Sequence, residues 1–219
     1  MLKDIRPIKG KYYIHRLIEE GEHEHQDFKF QISDARKIAR SLSAFANNDG
    51  GRLLIGVKDN GVVAGVRSEE DIYMIEAAAR TYCRPEVEVD VTAFLCEEGA
   101  VVIRASIARA QRRPVYVREE GDRLKAYIRV ADENIVVPEL MLRTWERAEW
   151  PEGELLTFSA AERMLLQMLE RRERVDPDRF HIAAHLSRQA AEDAITRLAS
   201  MGVIAFTYTA GKFQLTKAQ

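Results

Sequence analysis

The chain has 219 residues, 46% of them hydrophobic and 31% charged, with a net charge of −2; one large domain or two small ones fit that length, and a disordered chain is excluded. No run of about 18 apolar residues occurs, and the opening MLKDIRPIKGKYY lacks the apolar stretch of a signal peptide, so the expectation is a cytoplasmic protein without a membrane span. Cys83 and Cys96 form neither a CxxC pair nor a disulfide framework.

The first 30 residues read as a basic lead-in segment, an acidic run from Glu19 to Asp27 that holds His23 and His25, and a strand at Gln26-Asp27-Phe28-Lys29-Phe30. Ser33 and Asp34 can cap a helix over 34–46, whose Ile38, Leu42 and Phe45 share one face. Asn47-Asn48-Asp49-Gly50-Gly51 stops that helix, because Asn and Gly tolerate the positive φ of a tight turn. Leu53 to Val57 reads as a buried strand, Asp59-Asn60-Gly61 as a hairpin turn, and Val62 to Val66 as the returning strand. Ser68-Glu69-Glu70-Asp71 has the form of a capping box for a helix to about Cys83, which Pro85 ends. Strands follow at 87–95, 101–107, 114–117 and 125–130, and Pro138 opens a short helix ending near Trp145. The mixed order of hairpins and helices predicts an α+β fold.

Trp150-Pro151-Glu152-Gly153-Glu154 is the expected linker, giving domains over 1–150 and 157–219. The charge changes sign there: residues 1–154 carry 24 Lys and Arg against 28 Asp and Glu, and residues 155–219 carry 9 against 7. Within the first part, eight basic residues from Arg104 to Arg129, among them Arg112 and Arg113, alternate with Tyr116 and Tyr127 against three acids. Such a stripe suits a phosphate backbone, and it equally suits a solvated sheet face.

After the linker, Ser159 caps a helix to about Arg171, Pro177 opens a second to about His185, and Ser187 caps a third. Val203–Tyr208 and Lys212–Leu215 then pair around Ala210-Gly211. Three helices and a hairpin, with the run from Ser187 to Ile204, resemble a winged helix-turn-helix. On that reading Arg188 and Gln189 reach base edges, and Arg197 and Lys212 meet phosphates, while Glu192 and Asp193 oppose them.

In the first part, Asp27-Phe28-Lys29, the run Ser43-Ala44-Phe45-Ala46-Asn47-Asn48-Asp49-Gly50-Gly51-Arg52-Leu53-Leu54-Ile55-Gly56-Val57-Lys58-Asp59-Asn60-Gly61, Pro114-Val115-Tyr116-Val117 and Tyr127-Ile128-Arg129-Val130 are similar to the Schlafen-like, or AlbA-like, DNA-binding domain over about 15–135. The resemblance implies a mixed-sheet nucleic-acid-binding domain, and with the winged helix it implies the layout of bacterial transcriptional regulators, with DNA as partner and a homodimer on two half-sites. It also implies an alternative, a metal-dependent endoribonuclease acting on RNA. The family's Glu ahead of its Glu-Phe-Lys maps to Glu22, the Glu of that motif to Asp27, and the carboxylate beyond Ile-Gly-Val to Asp59; these would hold Mg²⁺ or Mn²⁺, with Lys29 steadying developing charge. Two departures stand out: Asp27 replaces a Glu, and Arg129-Val130-Ala131 replaces Arg-Val-Gly. No GxxxxGK[ST] phosphate loop is present, so no nucleotide cofactor is expected. His181 and His185 have a helical metal spacing but lack the Glu of HExxH, and in a strand His23 and His25 would face away from Glu22 and Glu24.

Overall fold

The computed structural model describes residues 5–66, 70–148 and 157–218. It divides into two compact units, Met1–Val137 and Pro138–Gln219. The division falls ahead of the expected 150–157 because the helix after Pro138 packs with the second unit; the Trp150–Glu154 linker lies outside the described residues. The α+β class holds, and no helix among the described residues is long and apolar enough to cross a membrane.

The first unit runs β1 (Ile8–Lys9), α1 (Lys11–Glu20), β2 (Gln26–Lys29), α2 (Ala35–Asn47), β3 (Gly51–Ile55), α3 (Glu70–Ala77), β4 (Cys83–Arg84), β5 (Val89–Leu95), β6 (Val101–Ile107), β7 (Tyr116–Arg118), β8 (Leu124–Val130) and β9 (Glu133–Val136). One sheet has the order β1-β5-β6-β3-β2, with β1–β5 and β2–β3 parallel and the other pairs antiparallel. The antiparallel second sheet has the order β4-β7-β8-β9. Leu53 and Ile55 of β3 join Leu42 and Phe45 of α2 in one core, while Leu54 joins Ile14 and Leu17 of α1, Phe28 and Val102 in another. Helices cover both faces of the first sheet, which is why β3 reads as a continuous apolar run.

Several local expectations change. Helix α1 forms where the sequence shows mainly charge: Ile14, Leu17 and Ile18 make a narrow apolar face that the surrounding charged residues disguise. Val62–Val66 is no strand; a single bridge joins Val57 to Val63, and the backbone N–H groups of Ala64 and Gly65 both donate to Gly56 O. Residues 67–69, with the expected capping box, lie outside the described residues, and α3 passes into a π-helical turn over Ala78–Tyr82. Asp34, not Ser33, caps α2, accepting from Arg36 N at 2.8 Å and Lys37 N at 3.4 Å.

The Asn47-Asn48 pair does more than stop α2. Asn47, 1% exposed, donates to Val115 O at 3.0 Å and Tyr127 O at 2.9 Å and accepts from Val115 N at 2.8 Å. Asn48 donates to Arg129 O at 2.7 Å. Two side-chain amides thus substitute for backbone partners and hold the second sheet against the end of α2.

The second unit runs α4 (Glu139–Ala148), α5 (Ala160–Arg171), α6 (Pro177–Ala183), α7 (Arg188–Ser200), β10 (Ile204–Thr209) and β11 (Lys212–Lys217). Ser159 and Glu162 form a reciprocal capping box at α5, Asp176 caps α6 and Ser187 caps α7. Leu165, Phe180, Ile195, Leu198, Ile204 and Leu215 make its core, with Leu140 of α4 packed against them. Strands β10 and β11 pair antiparallel, and Val175 adds a bridge to Leu215.

Ala131, where the family resemblance expects Gly, sits in the β8–β9 turn at φ +52°. A left-handed residue with a Cβ costs about 1–2 kcal/mol, and a glycine there gives back about half of that gain as chain entropy in the unfolded state. Ala131→Gly is therefore expected to stabilise the protein by about 0.5–1 kcal/mol, read as a rise of a few degrees in its thermal midpoint.

Candidate functional site: a buried carboxylate pair and a basic surface

Strand β2 brings Asp27 into the protein at 3% exposure, and the turn before it brings Glu22 alongside. Glu22 Oε1 accepts from Phe28 N at 2.9 Å. Asp27 Oδ1 lies 2.9 Å from Lys29 Nζ and 3.3 Å from Arg129 Nη2, and Ser41 Oγ donates to Oδ2 at 3.3 Å. Burial and the adjoining Asp27 raise the Glu22 carboxyl above its ordinary range. Burial pushes Asp27 up too, but the hydrogen bond with Glu22 and the charges of Lys29 and Arg129 outweigh it and hold Asp27 low. On acidification Glu22 is therefore the first of the two to take a proton, and Asp27 is the last.

Arg129 completes the cluster. Its side chain is 2% exposed, its Nε donates to His23 O at 3.3 Å, its Nη1 to Asn134 Oδ1 at 3.2 Å, and its Nη2 to Gln26 O at 3.4 Å. The same guanidinium lies over the Phe45 ring at 5.4 Å. An arginine sealed in this way cannot reach a phosphate backbone, which corrects its assignment to a nucleic-acid surface.

The three-carboxylate set does not assemble. Asp59 is exposed on the turn beyond β3, and among the described residues no three His, Cys, Asp or Glu side chains are grouped to hold a metal ion. Asp27 has its oxygens committed to two cations and a hydroxyl. These donors do not fit the Mg²⁺ or Mn²⁺ site the resemblance implies. The histidines are also committed: His23 Nδ1 accepts from His25 N at 3.2 Å, and His25 Nδ1 donates to Gly50 O at 2.9 Å.

Arg104, Arg109, Arg118 and Arg129 of the eight-residue basic stripe are each held by an acid. Arg104 pairs with Asp90, Arg109 with Asp49 and Arg118 with Asp122. Glu119 takes both nitrogens of Arg40 at 2.7 Å and the Tyr127 hydroxyl at 2.5 Å. Burial, with that hydrogen bond, moves the Tyr127 phenol up to about 12. Arg113 donates to Asn47 O at 3.1 Å. Arg112 and Lys125 are exposed and have no ion pair among the described residues. Arg112, Arg109 and Gln111 border an open cleft of about 440 Å³ that also holds Glu86, Glu88 and Val87.

In the second unit, Arg188 and Gln189 stand exposed in the first turn of α7, with 76% of the Arg188 side chain in solvent. Each is held by its own helix: Arg188 Nε meets Glu192 at 2.8 Å, and Gln189 Nε2 meets Asp193 at 2.9 Å. Arg197 is 2.9 Å from Glu162 of α5 with only 19% of its side chain exposed, so it braces two helices and is not placed as a phosphate contact. Lys212 is exposed at the hairpin turn without an ion pair among the described residues.

The family model described as Schlafen, AlbA_2 matches residues 22–138, a span that holds β2 through β9. The comparison with curated proteins gives no match. Among solved structures, a crystal structure of the DIP2311 protein from Corynebacterium diphtheriae is similar at 22% identity and a TM-score of 0.43, over 87% of this chain and 34% of that one. The chain thus spans about a third of the length of that protein.

The buried pair has measurable consequences. Asp27→Asn leaves the Arg129 charge without its counter-ion and is expected to destabilise the protein by about 3 kcal/mol in chemical denaturation. Asp59→Asn, at an exposed turn, is expected to change stability by less than about 0.5 kcal/mol. Because the folded pKa of Asp27 lies below its ordinary 3.8, its contribution is complete above that value and is lost as pH falls through the lower folded value. Glu22 acts in the opposite sense: its contribution is complete below its ordinary 4.5 and is lost as pH rises through its raised folded value. Denaturation midpoints followed from pH 7 to below pH 4 should therefore fall at the acid end in the wild type, and Asp27→Asn should remove that Asp27 component of the fall.

Proposed function

The chain belongs to the Schlafen AlbA_2 family, and from that premise we propose that it is a DNA-binding transcriptional regulator. Membership implies nucleic-acid binding by the first unit. What carries the finer reading is the order of the second unit: α5, the Val175 bridge to β11, α6, α7 and the β10–β11 hairpin follow the layout of a winged helix-turn-helix. In that layout α7 enters the major groove, where Arg188 and Gln189 face guanine and adenine edges. Lys212 at the wing, with Arg112 and Arg113 of the first unit, supplies the phosphate contacts. A homodimer on two half-sites belongs to this proposal, and no metal or cofactor does.

A metal-dependent ribonuclease is the second reading, favoured by the direct contact of Glu22 with Asp27. The position of Asp59 and the cations on Asp27 weigh against it.

One assay separates the two: labelled duplex DNA and a structured RNA at about 50 and about 200 mM salt, with Mn²⁺ or with EDTA. The regulator is expected to form an intact DNA complex whose affinity drops by about a hundredfold or more at the higher salt. Lys212→Ala is expected to weaken binding to all sequences alike and to lower the salt slope by about 1. RNA fragments that need Mn²⁺ and vanish in Asp59→Ala would replace this reading with the nuclease. A protein that stays monomeric at micromolar concentration in sedimentation would remove the dimer.

A further inference from the structure

Helix α4 begins one residue beyond the first unit, after Pro138, and belongs to the second. It packs along α7, and its Leu140 is seated against that unit's core. Arg143, exposed on α4, links the two helices: its Nη1 lies 3.0 Å from Glu192 Oε2, and its Nε 3.5 Å from Glu139. The other oxygen of Glu192 takes Arg188 at 2.8 Å. One carboxylate therefore holds an arginine from α4 and the arginine meant for a base edge.

The position of α4 matters more than the ion pairs. Its first turn, the start of α6 and the start of α7 line one cleft of about 200 Å³, with Glu139, Arg143, Asp178, Arg188 and Glu192 on its walls. A second cleft of about 420 Å³ continues from Pro138 and Leu140 to Phe206, Phe213 and Lys212 of the hairpin. A helix-turn-helix offers a duplex the starts of its last two helices, and a winged one adds its hairpin. The beginning of α4 borders all three. Helix α4 adds its own bulk and Glu139 to a border where Asp178 of α6 and Glu192 of α7 already repel an approaching phosphate.

We propose that α4 is an autoinhibitory helix, which flanks the DNA-facing starts of α6 and α7, engages Glu192 beside the exposed Arg188, and has to move off α7 before that helix enters a major groove. The inference rests on the DNA-binding reading above. A binding-competent state that is only fractionally populated lowers apparent affinity by that fraction, so loosening α4 raises affinity without adding any contact to DNA. Glu192 stays ionised at neutral pH, held low first by its hydrogen bond from Arg188, so mild acidification does not release the contact.

The test uses the sign of an electrostatic change. Arg143→Ala removes a positive charge, which by itself weakens binding to a polyanion. If α4 is inhibitory, the full-length Arg143→Ala protein instead binds a labelled mixed-sequence duplex about two- to fivefold more tightly, the range an exposed ion pair supplies. Leu140→Ser combined with Arg143→Ala is expected to gain about tenfold. Hydrogen exchange along α4 should quicken in both variants while α5 and the hairpin keep their protection. Where the double variant loses its fold by circular dichroism, Arg143→Ala decides alone, since its side chain is 44% exposed and its loss leaves the core intact. Unchanged or weakened binding in folded Arg143→Ala overturns the autoinhibition and leaves the DNA-binding reading standing. Absence of duplex binding by the wild type and both variants overturns the two together.

Discussion

The contact between Arg129 and Asp27 is the constraint on which the first unit depends. Arg129 lies on β8 of the second sheet, Asp27 on β2 of the first, and the guanidinium also donates to the carbonyls of His23 and Gln26. A charge at 2% exposure is tolerated only where partners surround it on every side. Its hydrogen bonds therefore set where β8 stands relative to β2, and Asn47 and Asn48 hold the same strand from the end of α2. A buried ion pair adds little net stability over a well-packed apolar contact; what it contributes is the penalty for any other arrangement.

That penalty accounts for the chemistry of the site as well. Asp27 carries the charge Arg129 requires, so its carboxyl is held low while that of Glu22 beside it is raised. A carboxylate that already holds Lys29 and Arg129 has little to give a divalent cation, and the nearest further carboxylate of the resemblance, Asp59, points into solvent from another turn. The family pattern survives as sequence while its charges close on one another.

Much of this fold was legible from spacing. The caps at Asp34, Ser159 and Ser187, the helix over 35–47 and the hairpin around Ala210-Gly211 follow from local rules that the structure repeats. The rest depended on what covers a strand. In Leu124–Val130, alternation assigns Lys125, Tyr127 and Arg129 to one face and Ala126 and Ile128 to the other, which reads as a wet face bearing Arg129. All four residues from Ala126 to Arg129 are buried, because the strand is covered on both sides, and periodicity carries no information about the second cover. Helix α1 was hidden for the converse reason, since three apolar residues suffice where one sheet face supplies the remainder of the core.

The same limit applies to charge. Counting basic residues along the chain treats each as free, but a cation's use to a polyanion depends on whether an acid already holds it. Arg104, Arg109 and Arg118 are each met by an acid that lies in another strand, another turn or four residues on, and Arg188 by one a helical turn away. Phosphate binding by such a residue exchanges one partner for another and releases fewer counter-ions than a free cation would. Exposed cations without an ion pair among the described residues, such as Arg112, Arg123 and Lys125 of the stripe and Lys212 of the second unit, therefore weigh more in any nucleic-acid contact than their ion-paired neighbours. In α7 the arithmetic is sharper still, because a single carboxylate, Glu192, stands between the arginine of a neighbouring helix and the arginine at the helix start. Whichever arginine leaves it, the other retains its partner, so the charge at the start of α7 stays matched when the neighbouring helix loses its own arginine.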